Sequence, residues 1–251
     1  LTGKRPRALN DGAVVPVYFF ADLWLNRRIA RRKEEYMEAV IFDMDGVLID
    51  SEPLHRETDL AMLKRLGIDV SADYLDKYIG VTNPVMWKEI LREFGIDKDV
   101  DEVLNALLSL KLKLLKKGDY APIDGVPELL KELYRKKIPV YIASSSSSIF
   151  IKEVLKKIGI EKYIWNWVSG ENVPKSKPEP DVFLRAAELL GVEPAECVVI
   201  EDSKNGVIAA KRAGMKCVGF KNPASGNQDL AKANLVVEKI SELTVSGLMK
   251  L

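Results

Sequence analysis

Ala39-Val-Ile-Phe-Asp-Met-Asp-Gly-Val47 is the stretch on which the reading of the whole chain turns. Val and Ile are β-branched and Phe is aromatic, so the run favours a strand, and its unbroken apolar character suits a strand buried on both faces. It stops on a carboxylate, Asp43, and a second, Asp45, follows two positions later. Gly46 permits an immediate turn, which lets both carboxylates reach one place at the carboxyl end of the strand. Two such charges repel, so one keeps a proton or a cation holds both. Mg2+ suits the pair, being a hard ion that takes oxygen ligands. Read alone, Asp-x-Asp-Gly is equally an ordinary turn or a fragment of a calcium loop.

Outward from this stretch the apolar runs recur, at 138–143, 165–168, 197–200 and 216–219, with helical periodicity between them at 126–136, 149–158, 180–190 and 203–213. Gly159, Gly191 and Gly214 stand where helix C-caps belong. Strands alternating with helices predict βαβ units with right-handed crossovers, hence an α/β fold with a doubly wound parallel sheet. Residues 51–122 interrupt the alternation with helical patterns alone, at 57–66, 72–78, 84–94 and 100–117. The expected organisation is a catalytic core of residues 37–50 and 123–251 with an all-helical cap, 51–122, inserted after the first strand.

Polar residues at the ends of parallel strands converge on one edge of the sheet, where ligands bind. Val198-Val-Ile-Glu-Asp-Ser-Lys-Asn-Gly206 puts a second acidic pair, Glu201 and Asp202, at a strand end. Lys175-Ser-Lys-Pro-Glu-Pro180 supplies a cation before a helix, and Ser144 ends a third strand. Carboxylates for a metal, one ammonium and one hydroxyl on a shared edge are what phosphoryl transfer needs: neutralised charge, positioning and an in-line nucleophile.

At these four places the chain resembles the haloacid dehalogenase superfamily, specifically its small-cap phosphatases and β-phosphoglucomutase-like members, 2-deoxyglucose-6-phosphate phosphatase among them. The resemblance spans 37–251 and implies a Rossmann-like core. It implies that Asp43 is a nucleophile forming an aspartyl phosphate, and that Asp45 is first general acid and then base. Mg2+ is expected on the Asp43 carboxylate, the Asp45 carbonyl and Asp202, with Glu201 as a further ligand or behind them. Ser144, with Ser145, is expected to bond the phosphoryl oxygens, and Lys177 to neutralise them. Lys175 reads as solvated. Helix capping is the competing role for Ser144 and the expected one for Ser146, Ser147 and Ser148. Trp165 and Trp167 are expected to pack rather than to stack on substrate.

His55, the chain's single histidine, falls where mutase relatives use one to assist attack by a sugar hydroxyl; the competing reading is a solvent-facing helix residue. Those relatives also grip a second phosphate with a cap arginine, and here Asn83 occupies that place in Tyr78-Ile-Gly-Val-Thr-Asn83. Asn offers no bidentate cation. The expectation is therefore a phosphatase acting on a small phosphorylated metabolite, a sugar phosphate first. The alternatives are a β-phosphoglucomutase, isomerising β-glucose 1-phosphate to glucose 6-phosphate, and a non-catalytic phosphometabolite-binding protein.

Bulk properties narrow the field without choosing within it. Lys and Arg number 38 against 37 for Asp and Glu, so no global field recruits nucleic acid. The longest apolar stretch, 13–25, is broken by Pro16 and Asp22 and falls short of a membrane span. Cys197 and Cys217 sit inside apolar runs, reading as buried thiols in a reducing, cytoplasmic setting. Residues 1–36 carry a surplus of four positive charges and precede Met37, where an ordinary strand begins at once. The expectation is that the natural protein starts at Met37; a targeting arm or a membrane-surface helix are the competing readings.

Overall fold

The computed structural model describes residues 37–78 and 81–251. The basic segment 1–36 lies outside the described residues. Six parallel strands form one sheet in the order β3-β2-β1-β4-β5-β6. They are β1 (Ala39–Phe42), β2 (Val140–Ser144), β3 (Asn166–Ser169), β4 (Cys197–Glu201), β5 (Lys216–Phe220) and β6 (Leu235–Val237). Register places Phe42 opposite both Ile142 and Ile200, so β1 and its two neighbours end nearly level. Their first polar residues therefore meet on one edge.

Alternate residues of each strand feed separate cores. Val40, Phe42, Val140, Ile142, Val198 and Ile200 pack under α4 (Val126–Arg135), α5 (Ser148–Lys157) and the terminal α8 (Val245–Leu248). Ala39, Ile41, Tyr141, Ala143, Cys197, Val199 and Cys217 face α6 (Asp181–Leu190) and α7 (Lys204–Arg212). Both cysteines are free, buried thiols, as their apolar setting predicts. Trp165 and Trp167 pack too, against opposite cores.

Between β1 and α4 the chain makes the helical excursion that the periodicity announces. It comprises α1 (Glu52–Arg65), a 3-10 segment at Ala72–Tyr78, α2 (Asn83–Glu93) and α3 (Val100–Lys117). Helix α1 begins five residues before the apolar pattern suggests, because Pro53 stands in its first turn and supplies a helix start without an apolar residue. These helices share a core of their own, with Met62, Met86, Trp87, Ile90, Leu91, Val103 and Leu107 buried together. Asp99 caps α3 through hydrogen bonds from the Asp101 and Glu102 amides. The excursion leaves and returns side by side: Ile49 bridges Pro122 antiparallel, and the Ile123 amide donates to the Leu48 carbonyl at 3.0 Å. No described helix is long and apolar enough to cross a membrane.

β6 escapes sequence reading. Two of its three residues, Leu235 and Val236, are exposed at the sheet edge, and three residues carry too little alternation to register as a strand.

Candidate active site

Asp43 follows the last residue of β1, and its amide donates to the Ile200 carbonyl of β4 at 2.9 Å, carrying the ladder one residue further. The residue is thereby fixed at the sheet edge and only 7% exposed. Lys177 arrives from the loop ahead of α6 and uses all three of its donors. Its Nζ donates to Asp43 Oδ1 at 2.7 Å, Glu201 Oε1 at 2.8 Å and the Ala143 carbonyl at 3.1 Å, and it lies 4.8 Å from the Phe183 ring centre. Burial works against that ammonium, but Asp43 and Glu201 outweigh it and hold its pKa well above the usual lysine value.

Glu201 is fully buried and both its oxygens are engaged. Oε1 takes Lys177, while Oε2 accepts from the Ser203 amide at 2.7 Å and the Ser203 hydroxyl at 2.9 Å. That hydroxyl also accepts from the Gly206 amide at 3.0 Å, capping α7. A Cβ on Gly206 would sit 1.6 Å from Glu201 Oε1, so the helix can approach the carboxylate only with glycine there. Asp202 turns the other way, accepts from the Ser225 hydroxyl and packs on Gly46, whose φ of +77° makes the turn after Asp45.

Ligand oxygens of Asp43, Glu201 and Asp202 all lie within 4.8 Å of one another. Burial, with Glu201 and Asp45 adding to it and Lys177 opposing it, pushes the Asp43 carboxyl up to about 7. Burial, Glu201 and Asp43 push Asp202 up to about 8. Among the described residues, these three buried carboxylates share one bonded ammonium, Lys177, and so form a hard oxygen donor set short of positive charge, which fits a divalent ion such as Mg2+.

Asp45 belongs to a different network, although only Met44 separates it from Asp43. It is a quarter exposed and accepts from the Ser51 hydroxyl at 2.5 Å and the Ser146 hydroxyl at 2.8 Å, with His55 Nε2 at 3.1 Å and the Ser144 hydroxyl at 3.4 Å. Burial acts to raise its pKa, yet the bonds from His55, Ser51 and Ser146 outweigh that and hold the carboxyl well below the ordinary range. His55 and Ser51 come from the start of the helical excursion, so one end of this network belongs to the junction between core and excursion. On the cap side Lys111 of α3 lies 5.1 Å from the Phe150 ring centre, and the His55 ring lies 6.0 Å from the same centre. Burial lowers that lysine's pKa, while Asp45, Asp59 and Glu52 oppose the fall.

A profile of haloacid dehalogenase-like hydrolases matches residues 40–220, most of the chain and all of the strand ends just described. The chain belongs to this family. Hexitol phosphatase B of Escherichia coli O157:H7 is 32% identical over 217 residues, covering 84% of this chain and 96% of that protein. β-Phosphoglucomutase of Bacillus subtilis is 31% identical, covering 83% and 92%. Among solved structures, CbbY from Rhodobacter sphaeroides in complex with phosphate superposes with a TM-score of 0.77 at 25% identity, covering 86% of this chain and all of that one.

Within this dehalogenase-like hydrolase, then, the strand ends bring Asp43, Ser144, Glu201 and Asp202 together, Lys177 joins them from the loop ahead of α6, and Asp45 and His55 lie beside them. Ser145 does not turn inward and is exposed. Ser144 is fully buried, and its oxygen accepts from the Ser146 amide at 3.0 Å. Of the serines expected to cap α5, only Ser147 does so, accepting from the Phe150 amide; Ser146 points to Asp45, and Ser148 lies inside the helix and reaches Asn172. Four contributors go unnoticed in the sequence: Ser51, Ser146, Asn222 and Ser225. Ser51 is masked as a helix-start residue, and Asn222-Pro-Ala-Ser225 reads as an ordinary turn.

Proposed function

We propose that this chain hydrolyses a small phosphate monoester, a sugar or sugar-alcohol phosphate, with Asp43 as nucleophile and Mg2+ as cofactor. One observation carries the reading: two carboxylates two residues apart are sorted into separate roles. Asp43 is clamped by Lys177 among the metal-type carboxylates, while Asp45 stands apart with its own donors.

Asp43 and Asp202, with the Asp45 carbonyl, would hold the ion, and Glu201 stands behind them because Lys177 and Ser203 already occupy its oxygens. Bound there, Mg2+ would supply positive charge toward the phosphoryl oxygens and keep Asp43 ionised. Lys177 shares that charge and fixes the direction of the Asp43 carboxylate. An Asp43 oxygen attacks phosphorus, the ester P–O bond breaks, and the leaving alkoxide takes a proton from Asp45. Water then attacks the aspartyl phosphate and gives its proton to Asp45, and the P–O bond to Asp43 breaks. Splitting transfer in this way lets one pocket serve both halves.

Held by Ser51, His55 and Ser146, Asp45 is a stable carboxylate and a poor acid. Its acid role calls for release from those donors, two of which belong to the cap junction, so cap movement and proton supply are linked. Burial of the reacting oxygens under a cap also favours small substrates over phosphoproteins.

A mutase reading has the His55–Asp45 contact in its favour; Asn83, exposed at the start of α2, stands against it because it provides no cation for a second phosphate. Phosphate release from hexose, hexitol and glycolate phosphates with Mg2+, run beside a coupled assay for glucose 6-phosphate formed from β-glucose 1-phosphate, separates the two. Release is expected; isomerisation without release would replace the phosphatase by the mutase. Asp43→Asn keeps the shape of the site and is expected to abolish turnover, and substantial activity in that variant would refute covalent catalysis.

A further inference from the structure

The segment after β5 is knitted to the site at three points that no catalytic assignment above explains. Asn222 Nδ2 donates to the Gly46 carbonyl at 2.9 Å, bracing the turn that separates Asp45 from the cap. Ser225 Oγ donates to Asp202 Oδ2. Gln228 Oε1 accepts from the Lys204 amide at 3.1 Å, at the start of the helix that follows Asp202, and its Nε2 donates to the Ser225 carbonyl at 2.9 Å. The loop also closes on itself: the Ala224 amide donates to Asn222 Oδ1 at 2.9 Å and the Ser225 amide to the Asn222 carbonyl at 3.1 Å.

Asp202 depends on this loop more than its neighbours do. Lys177 holds Asp43 and Glu201, and Ser203 holds Glu201, whereas Ser225 is the hydrogen-bond donor the structure shows on the Asp202 carboxylate. Gly46 leaves no slack behind it, since a Cβ there would fall 2.0 Å from Asp202 Oδ2 and 2.9 Å from Ser225 Oγ. A carboxylate gripped at one oxygen, against a glycine, keeps a single orientation and an oxygen free for a cation. Outer hydrogen bonds of this kind raise a site's metal affinity by ordering its ligands before the ion arrives.

We infer that Ser225 is a positioning residue of the metal site, acting through Asp202, with Asn222 and Gln228 holding Ser225 in place. The inference rests on the metal-dependent reading above. Its test is Mn2+ binding to the full chain, followed by electron paramagnetic resonance of the free ion, for the unaltered protein, Ser225→Ala, Ser225→Thr and Asp202→Ala. Ser225→Ala is expected to weaken Mn2+ binding by about 10- to 100-fold. Ser225→Thr retains the hydroxyl and is expected to restore most of that affinity, a rescue that loss of packing alone would not give. Metal-free melting of the alanine variant should stay close to that of the unaltered protein. Unchanged Mn2+ affinity in Ser225→Ala, or equal weakening in the threonine variant, would overturn the inference. Failure of the unaltered protein to bind Mn2+ would overturn the metal-dependent reading itself, before any variant is compared.

Discussion

Lys177 shows how much can hang on one side chain. Its side chain is 7% exposed and its ammonium satisfies Asp43, Glu201 and a strand carbonyl at once, so deleting it leaves two buried carboxylates without their cation. Breaking such a buried pair from one side costs about 3–5 kcal/mol. Proton uptake by Asp43, whose pKa already stands near 7, offsets part of that loss. Lys177→Met is therefore expected to lower the melting temperature of the metal-free protein by several degrees, on the order of 10 °C at most, and to remove activity even at temperatures where the fold persists. Melting followed by circular dichroism together with phosphate release at 25 °C checks both; a fully active variant would contradict the role given to Lys177. Lys177 stands out from Lys175 in the sequence, since it is Lys177 that directly precedes Pro178-Glu-Pro180, the pattern on which the family resemblance rests at this place. Ser225 and Asn222 were not selectable, because their partners, Asp202 and Gly46, lie 23 and 176 positions away and no local pattern records such meetings.

At the scale of elements, the start of α7 sets two preferences against each other. Gly206 lies inside the helix, where alanine would be favoured by about 1 kcal/mol. The added methyl, however, would enter the space of the Glu201 carboxylate, which Lys177 and Ser203 hold on both sides. Overpacking of a fixed interior costs about 1–3 kcal/mol, so the clash wins. Gly206→Ala should reduce stability in a urea titration despite its better helix propensity, and a stabilised variant would show that Glu201 is freer than its bonds suggest. Elements also mark how legible the sheet was. β1, β2, β4 and β5 are apolar on both faces and stand out, and the level ends of β1, β2 and β4 follow from their register. β6 is exposed along two of its three residues, and the serine run after β2 does not reveal which hydroxyl turns inward, since that depends on how the chain rotates as it leaves the strand.

For the molecule as a whole, the charge stored at the sheet edge couples stability to pH. Asp43 and Asp202 have their carboxyls raised from 3.8 to about 7 and about 8, so the folded protein holds protons that the unfolded chain has released. Where the folded state binds more protons, stability falls as pH rises. These two groups therefore stabilise the metal-free fold fully below about pH 4, and that contribution is lost progressively up to about pH 8. A divalent cation competes with those protons, so its binding strengthens across the same window. The gap in melting temperature between protein with excess Mg2+ and protein with a chelator is expected to be small near about pH 5.5 and to widen by about pH 8.5. A gap that stays constant or narrows would mean that the ion does not displace these protons.

The paired crossing of the helical excursion, Ile49 beside Pro122 and Ile123 bonded to Leu48, has an evolutionary reading. Because the chain departs and returns at adjacent positions, the distance the core must tolerate between the two cut ends is independent of what is spliced between them. Segments of other lengths and surfaces can be grafted at this junction while the strand ends keep their spacing. A chimaera exchanged at these two positions should therefore keep the strand ends in place, and its substrate profile would measure how far this one contiguous stretch sets specificity.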